Sequence, residues 1–126
     1  MDKKKKILII DDEQNLLDLL KQRLEHHGYE VMYLNYGMDA VDIAITAKPD
    51  LIMLDISIPD KDGYDICYEL KHSPDTVKIP VIIFTAKDEW KKHLDEMSEY
   101  VKADDFVAKP FDAKVLLAKI QQLLKE

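Results

Sequence analysis

The chain has 126 residues, with 25 acidic against 18 basic side chains and a net charge of −7. Apolar residues make up 47% and charged residues 34%, which excludes a disordered chain and supports one domain spanning residues 1–126. No apolar run exceeds four residues, whereas a membrane helix needs about 20, and an acidic chain without a basic stripe is a poor nucleic-acid binder.

In chain order, Lys3–Lys6 is a solvated run leading into a first apolar block, Ile7-Leu8-Ile9-Ile10. Leu16, Leu17, Leu20 and Leu24 then line one face of a helix that is expected to end near Gly28. Val31–Leu34 is a second block, followed by a helical stripe of Ala40, Val41, Ala44 and Ile45. Leu51–Leu54 is a third, followed by Ile66, Cys67 and Leu70. Val81–Phe84 is a fourth, followed by a stripe of Trp90, Leu94, Met97 and Val101. Asp105–Ala108 is a shorter fifth block, and Val115, Leu116, Ile120, Leu123 and Leu124 form the last stripe, with Lys119 as the exception on its edge. Continuous rather than alternating apolarity marks strands buried on both faces, as in a parallel sheet. Five strand–helix repeats predict a (βα)5 doubly wound α/β fold of the flavodoxin-like kind, with strand order 2-1-3-4-5. Ligands of such a sheet sit beyond the carboxyl ends of strands 1 and 3, where the order reverses.

Polar residues stand there. The first strand ends in Asp11-Asp12-Glu13, the third in Asp55, the fourth in Thr85 and the fifth in Lys109. Asp12 alone reads equally well as a helix N-cap, with Glu13 complementing the helix dipole. A carboxylate directly after a buried strand, as at Asp55, must be solvated, paired or metal-bound. Gathered in one pocket, Asp11, Asp12 and Asp55 would repel one another and raise one another's pKa. A hard divalent cation relieves this, and Mg2+ suits an all-oxygen pocket that leaves it several waters. Thr85 offers a hydroxyl and Lys109 a compact cation, so the set reads as a carboxylate nucleophile, metal, hydroxyl and lysine around one phosphoryl group.

With these residues in view, the chain resembles a receiver domain of the bacterial two-component response regulators. The matching segments are Ile7–Glu13, Leu54–Gly63, Phe84-Thr85-Ala86 and Ala103–Phe111, in the family's order and across essentially the whole chain. The resemblance implies a phosphoacceptor at Asp55. It implies Mg2+ held by Asp12 directly, by Asp11 largely through water, by Asp55 and by the Ser57 backbone carbonyl. Thr85 and Lys109 would bind the phosphoryl oxygens, Phe106 would be the aromatic that turns inward on activation, and the Lys109–Pro110 bond would be cis. The implied donor is a sensor histidine kinase or phosphotransfer protein, with an output protein or domain downstream. The chain would not be an enzyme in its own right. It would work in the cytoplasm, to which a single cysteine, Cys67, is also suited. A phosphorylation-dependent dimer through the fourth helix, fifth strand and fifth helix is a further expectation. The end at Glu126 suits either a stand-alone receiver or the first domain of a longer regulator.

Two features depart from the family's pattern. Lys102 stands where glycine is usual, and a lysine resists a left-handed backbone, which predicts a different ending for the fourth helix. The stretch from Thr85 to Lys109 is also slightly long. Trp90 lies on a core-like stripe, and His26, His27, His72 and His93 lack metal-ligand spacing. Two rival classes fit less well. A haloacid-dehalogenase phosphatase needs a second acid two residues beyond its nucleophile, where this chain has Ser57 after Asp55 and Glu13 after Asp11. A flavodoxin-like flavin binder needs a small-residue phosphate loop after strand 1, where this chain has acids that would repel phosphate.

Overall fold

Alternate residues of each apolar run face opposite sides of one sheet, which is why the runs are apolar throughout. The computed structural model describes residues 4–86 and 102–125. Its five strands are β1 (Lys6–Ile10), β2 (Glu30–Leu34), β3 (Leu51–Asp55), β4 (Val81–Ala86) and β5 (Asp105–Lys109). They pair in parallel in the order β2-β1-β3-β4-β5. The helices among the described residues are α1 (Gln14–His26), α2 (Ala40–Ala47), α3 (Gly63–Lys71) and α4 (Ala113–Leu124). The stripe from Trp90 to Val101 lies outside the described residues, so the fourth predicted helix and the surface built on it do too.

Leu8, Ile10, Ile52, Leu54, Val81 and Ile83 pack on one face against Ala40, Ala44, Ile66, Cys67 and Leu70 of α2 and α3. Ile7, Ile9, Met53, Ile82, Phe84 and Val107 pack on the other against Leu17, Leu20 and Leu24 of α1 and Leu116 and Ile120 of α4. Burying each such side chain fully contributes about 1.5–3 kcal/mol relative to leaving it exposed. All of β3 and all but the first residue of β1 are buried. The two strands that flank the order reversal are therefore the most enclosed, and their ends are fixed in space.

The local stops follow from side-chain chemistry. Gly28 takes a φ of +91° just past α1, and the Tyr29 N–H closes onto the Leu24 carbonyl at 3.1 Å. Lys48 performs the same office after α2 at φ +51°. Lys102 sits at φ +56°, in the left-handed region that a lysine enters only at a cost, and the ending expected for the fourth helix lies outside the described residues. The cost of about 1 kcal/mol is borne because the chain is fixed immediately afterwards. The Asp104 N–H donates to the Val81 carbonyl at 2.9 Å, and its carboxylate accepts from the Val81 N–H at 2.8 Å. Lys119, the exception on the last stripe, reaches Asp105 at 3.0 Å. Cys67 is buried, which pushes its thiol up to about 12. No helix among the described residues is long and apolar enough to cross a membrane.

Candidate functional site

The ends of β1, β3 and β5 bring four of the expected residues together. Asp11, one residue past β1, is fully buried. Its Oδ1 accepts from the Glu13 N–H at 2.9 Å and its Oδ2 meets Lys109 Nζ at 2.7 Å. Asp55, the last residue of β3, is 5% exposed. Its Oδ1 accepts from the Ser57 N–H at 2.9 Å, and its Oδ2 meets the same Lys109 Nζ at 2.9 Å. Asp12 is exposed, yet Asp11, Asp12 and Asp55 each place a carboxylate oxygen within 4.8 Å of the others. The alternative reading of Asp12 as a helix cap does not hold. Glu13 is the N-cap of α1, no side chain caps that end, and the first turn contains no acid. Asp12 is left to the pocket.

Two of the three clustered carboxylates, Asp11 and Asp55, thus share one ammonium. Burial raises the Asp11 carboxyl above its ordinary value, against the opposing pull of Lys109 and the Glu13 N–H. Burial works against the charge on Lys109 too, but its hydrogen bonds to Asp11 and Asp55 outweigh it and hold the ammonium above the usual lysine value. The two shifts differ in cause, burial for Asp11 and paired carboxylates for Lys109, and the third acid, Asp12, lies exposed beside them. Oxygen donors in surplus at this spacing fit a hard divalent cation, with Asp11, Asp12 and Asp55 as the donors.

The loop after β3 is fixed at several points. Asp62 caps α3 by accepting from the Tyr64 N–H at 2.8 Å. A Cβ at Gly63 would run into the Ile56 backbone and lie 2.8 Å from the Asp55 carbonyl oxygen, so only glycine lets α3 start this close to Asp55. Asp60, which the sequence reading passed over, accepts from the Gly37 N–H at 2.8 Å and the Met38 N–H at 2.8 Å. It ties the β3–α3 loop to the β2–α2 loop, and the Gly37 hydrogen bond lowers its carboxyl below the usual value. Nothing local signals such a contact, although an aspartate beside Pro59 in a turn is a candidate acceptor of backbone N–H groups.

Ser57, Thr85 and Phe106 stand on the loop after β3, on β4 and on β5. Ser57 adjoins Asp55 through its N–H. The backbone of Thr85 pairs with Ala108 on the same rim, one position before Ala86 pairs with Lys109; the side chain of Thr85 lies outside what the structure describes. Phe106 pairs with Ile83 lower on the sheet and packs, partly buried, against the core on the α2–α3 face. The Lys109–Pro110 bond is cis.

A family model described as "Response regulator receiver domain" matches residues 7–121. The alkaline phosphatase synthesis transcriptional regulatory protein PhoP of Bacillus subtilis (strain 168) is 37% identical over 121 residues, covering 96% of this chain and 49% of PhoP. The chain therefore spans about half the length of this curated relative. The signal receiver domain of a signal transduction histidine kinase from Syntrophus aciditrophicus superposes with a TM-score of 0.86 at 36% identity, covering 96% of this chain and 90% of that one. The receiver domain of a sensor histidine kinase from Pseudomonas aeruginosa PAO1 superposes with a TM-score of 0.83 at 25% identity, covering 98% of this chain and 100% of that one. That structure carries a magnesium ion coordinated in its active site cleft.

Proposed function

Since the chain belongs to the response regulator receiver domain family, we propose that Asp55 is its phosphoacceptor and that Asp11, Asp12, Asp55 and the Ser57 carbonyl hold Mg2+. The observation that carries this reading is a cluster of three carboxylates in which the two buried ones, Asp11 and Asp55, share the single ammonium of Lys109. An Asp55 oxygen forms the new bond to phosphorus. The donor's bond to phosphorus breaks, and its leaving group departs with the electron pair, taking up a proton where it is a histidine nitrogen. The Ser57 N–H holds Asp55 Oδ1 and fixes the carboxylate's rotation, so its approach is preset. Lys109 places a positive charge where the transferred oxygens arrive. Bound among the acids, the metal supplies charge neutralisation to the phosphoryl oxygens.

Thr85 and Phe106 are proposed as the switch that follows. Thr85 would hold a phosphoryl oxygen, and Phe106, which is only partly buried at present, would turn inward. The donor is a sensor histidine kinase or phosphotransfer protein, and the rim beside Lys109 offers it an apolar shoulder of Leu16, Leu19, Pro110 and Phe111. The output is a partner protein or domain, with a phosphorylation-dependent dimer as one form of it. The domain works in the cytoplasm and assists only its own phosphorylation and dephosphorylation.

The test is incubation with acetyl phosphate, with and without magnesium, read by intact mass. One phosphoryl group is expected on the wild-type protein in magnesium and none on Asp55→Asn. Full labelling of Asp55→Asn would overturn the assignment.

A further inference from the structure

Lys109 has a third neighbour besides its two carboxylates. Its Nζ lies 4.8 Å from the centroid of the Phe84 ring. Phe84 is fully buried on β4, at the register position paired with Asp55. Phe111 packs edge-to-face on it, with centroids 6.4 Å apart and planes at 85°. The ring is thus held by the sheet on one side and by Phe111 on another, and cannot follow a moving lysine.

The three contacts of the ammonium differ in what a reaction does to them. Asp55 would become an acyl phosphate, and Asp11 would turn its oxygens to the cation. The ring face alone stays as it was. An aromatic face carries negative electrostatic potential and attracts an ammonium, most strongly where water is scarce. The Lys109 side chain is 20% exposed, so water screens this attraction only in part.

We propose that Phe84 is a positioning residue for phosphoryl transfer, whose ring face keeps the Lys109 ammonium aimed at the phosphoryl group while its carboxylate partners are altered. This rests on Asp55 being the phosphoacceptor. The competing account is that Phe84 merely fills the core with Leu116 and Ile120. Shape and apolarity would then be all that matters.

Fluorination separates the two, because it drains the ring face while barely changing its size. Mono-, di- and trifluorinated phenylalanine would be placed at position 84 by site-specific incorporation. The readouts are the rate of labelling by acetyl phosphate in saturating magnesium, magnesium affinity by calorimetry, and melting temperature. The rate is expected to fall stepwise along the series, by about three- to tenfold in all, with magnesium affinity and melting temperature nearly unchanged. Phe84→Leu, if it folds, should be as slow as the trifluorinated protein. A rate that is flat across the fluorinated series would overturn the proposal while leaving Asp55 as acceptor. Absence of labelling in the unsubstituted protein would instead remove the Asp55 reading, and this one with it.

Discussion

The two ends of the sheet handle charge in opposite ways. At the end where the strands begin, each engaged carboxylate has its own partner. Lys71 meets Asp104 at 2.7 Å with its side chain only 8% exposed, and also donates to the Ile79 carbonyl at 2.7 Å. Lys119 meets Asp105, and Asp50 accepts from the Lys6 N–H at 2.7 Å. At the end where the strands finish, Asp11, Asp12 and Asp55 have Lys109 between them. Poorly solvated charge is tolerable when matched and costly when not. A matched pair therefore needs nothing further, whereas surplus like charge persists where a ligand of opposite charge completes it. The ratio of acids to bases, rather than their number, separates a brace from a site.

Breaking the matched end should cost the most stability. Lys71→Met leaves Asp104 without its cation, and a loss of about 2 kcal/mol is expected, below the range for fully buried pairs because Asp104 is partly solvated. Urea denaturation would measure it, with labelling of the folded protein unchanged. A loss under a few tenths would show that this end is not held by its pairs.

The unmatched end should respond to magnesium. Binding to the native state alone stabilises by about 1.4 kcal/mol at tenfold excess over Kd, visible as a rise in melting temperature that Asp12→Asn should largely abolish. Without metal, Asp12→Asn should instead stabilise slightly, by about 0.5–1 kcal/mol, since it removes one of three like charges near water. Destabilisation by Asp12→Asn in the absence of metal would contradict the surplus.

Asp60 sharpens the contrast most gently. It sits at the end where the strands finish but is satisfied by backbone N–H groups, so it should behave as a matched acid. Its folded pKa is lowered, so its contribution is present above the ordinary value of 3.8 and is lost as pH falls through the lower, folded one. The stability difference between wild type and Asp60→Ala should therefore be small and constant near neutrality and should shrink below about pH 4. A difference that grows on acidification would reverse the sign.

Much of this was legible in the sequence. The runs at Ile7, Leu51 and Val81 are apolar throughout because both sheet faces are covered. Asp11, Asp12, Asp55 and Lys109 stood out because a buried strand that stops on a polar residue delivers it to the rim. The remainder depends on contacts between distant segments. Nothing near Lys71 marks Asp104 as its partner, and nothing near Asp60 marks Gly37. Phe84 reads as one more apolar residue in an apolar run, because an aromatic face beneath a lysine leaves no trace in periodicity. At Lys102 a local preference yields to position, since the chain is anchored two residues later at Asp104.

The most direct measurement is chemical trapping of the phosphorylated residue. The protein would be labelled with acetyl phosphate in magnesium, reduced with borohydride, which converts an acyl phosphate to an alcohol, and mapped by peptide mass spectrometry. The account expects homoserine at position 55 and nowhere else. Reduction at Asp11 or Asp12, or a label that resists borohydride, would contradict it.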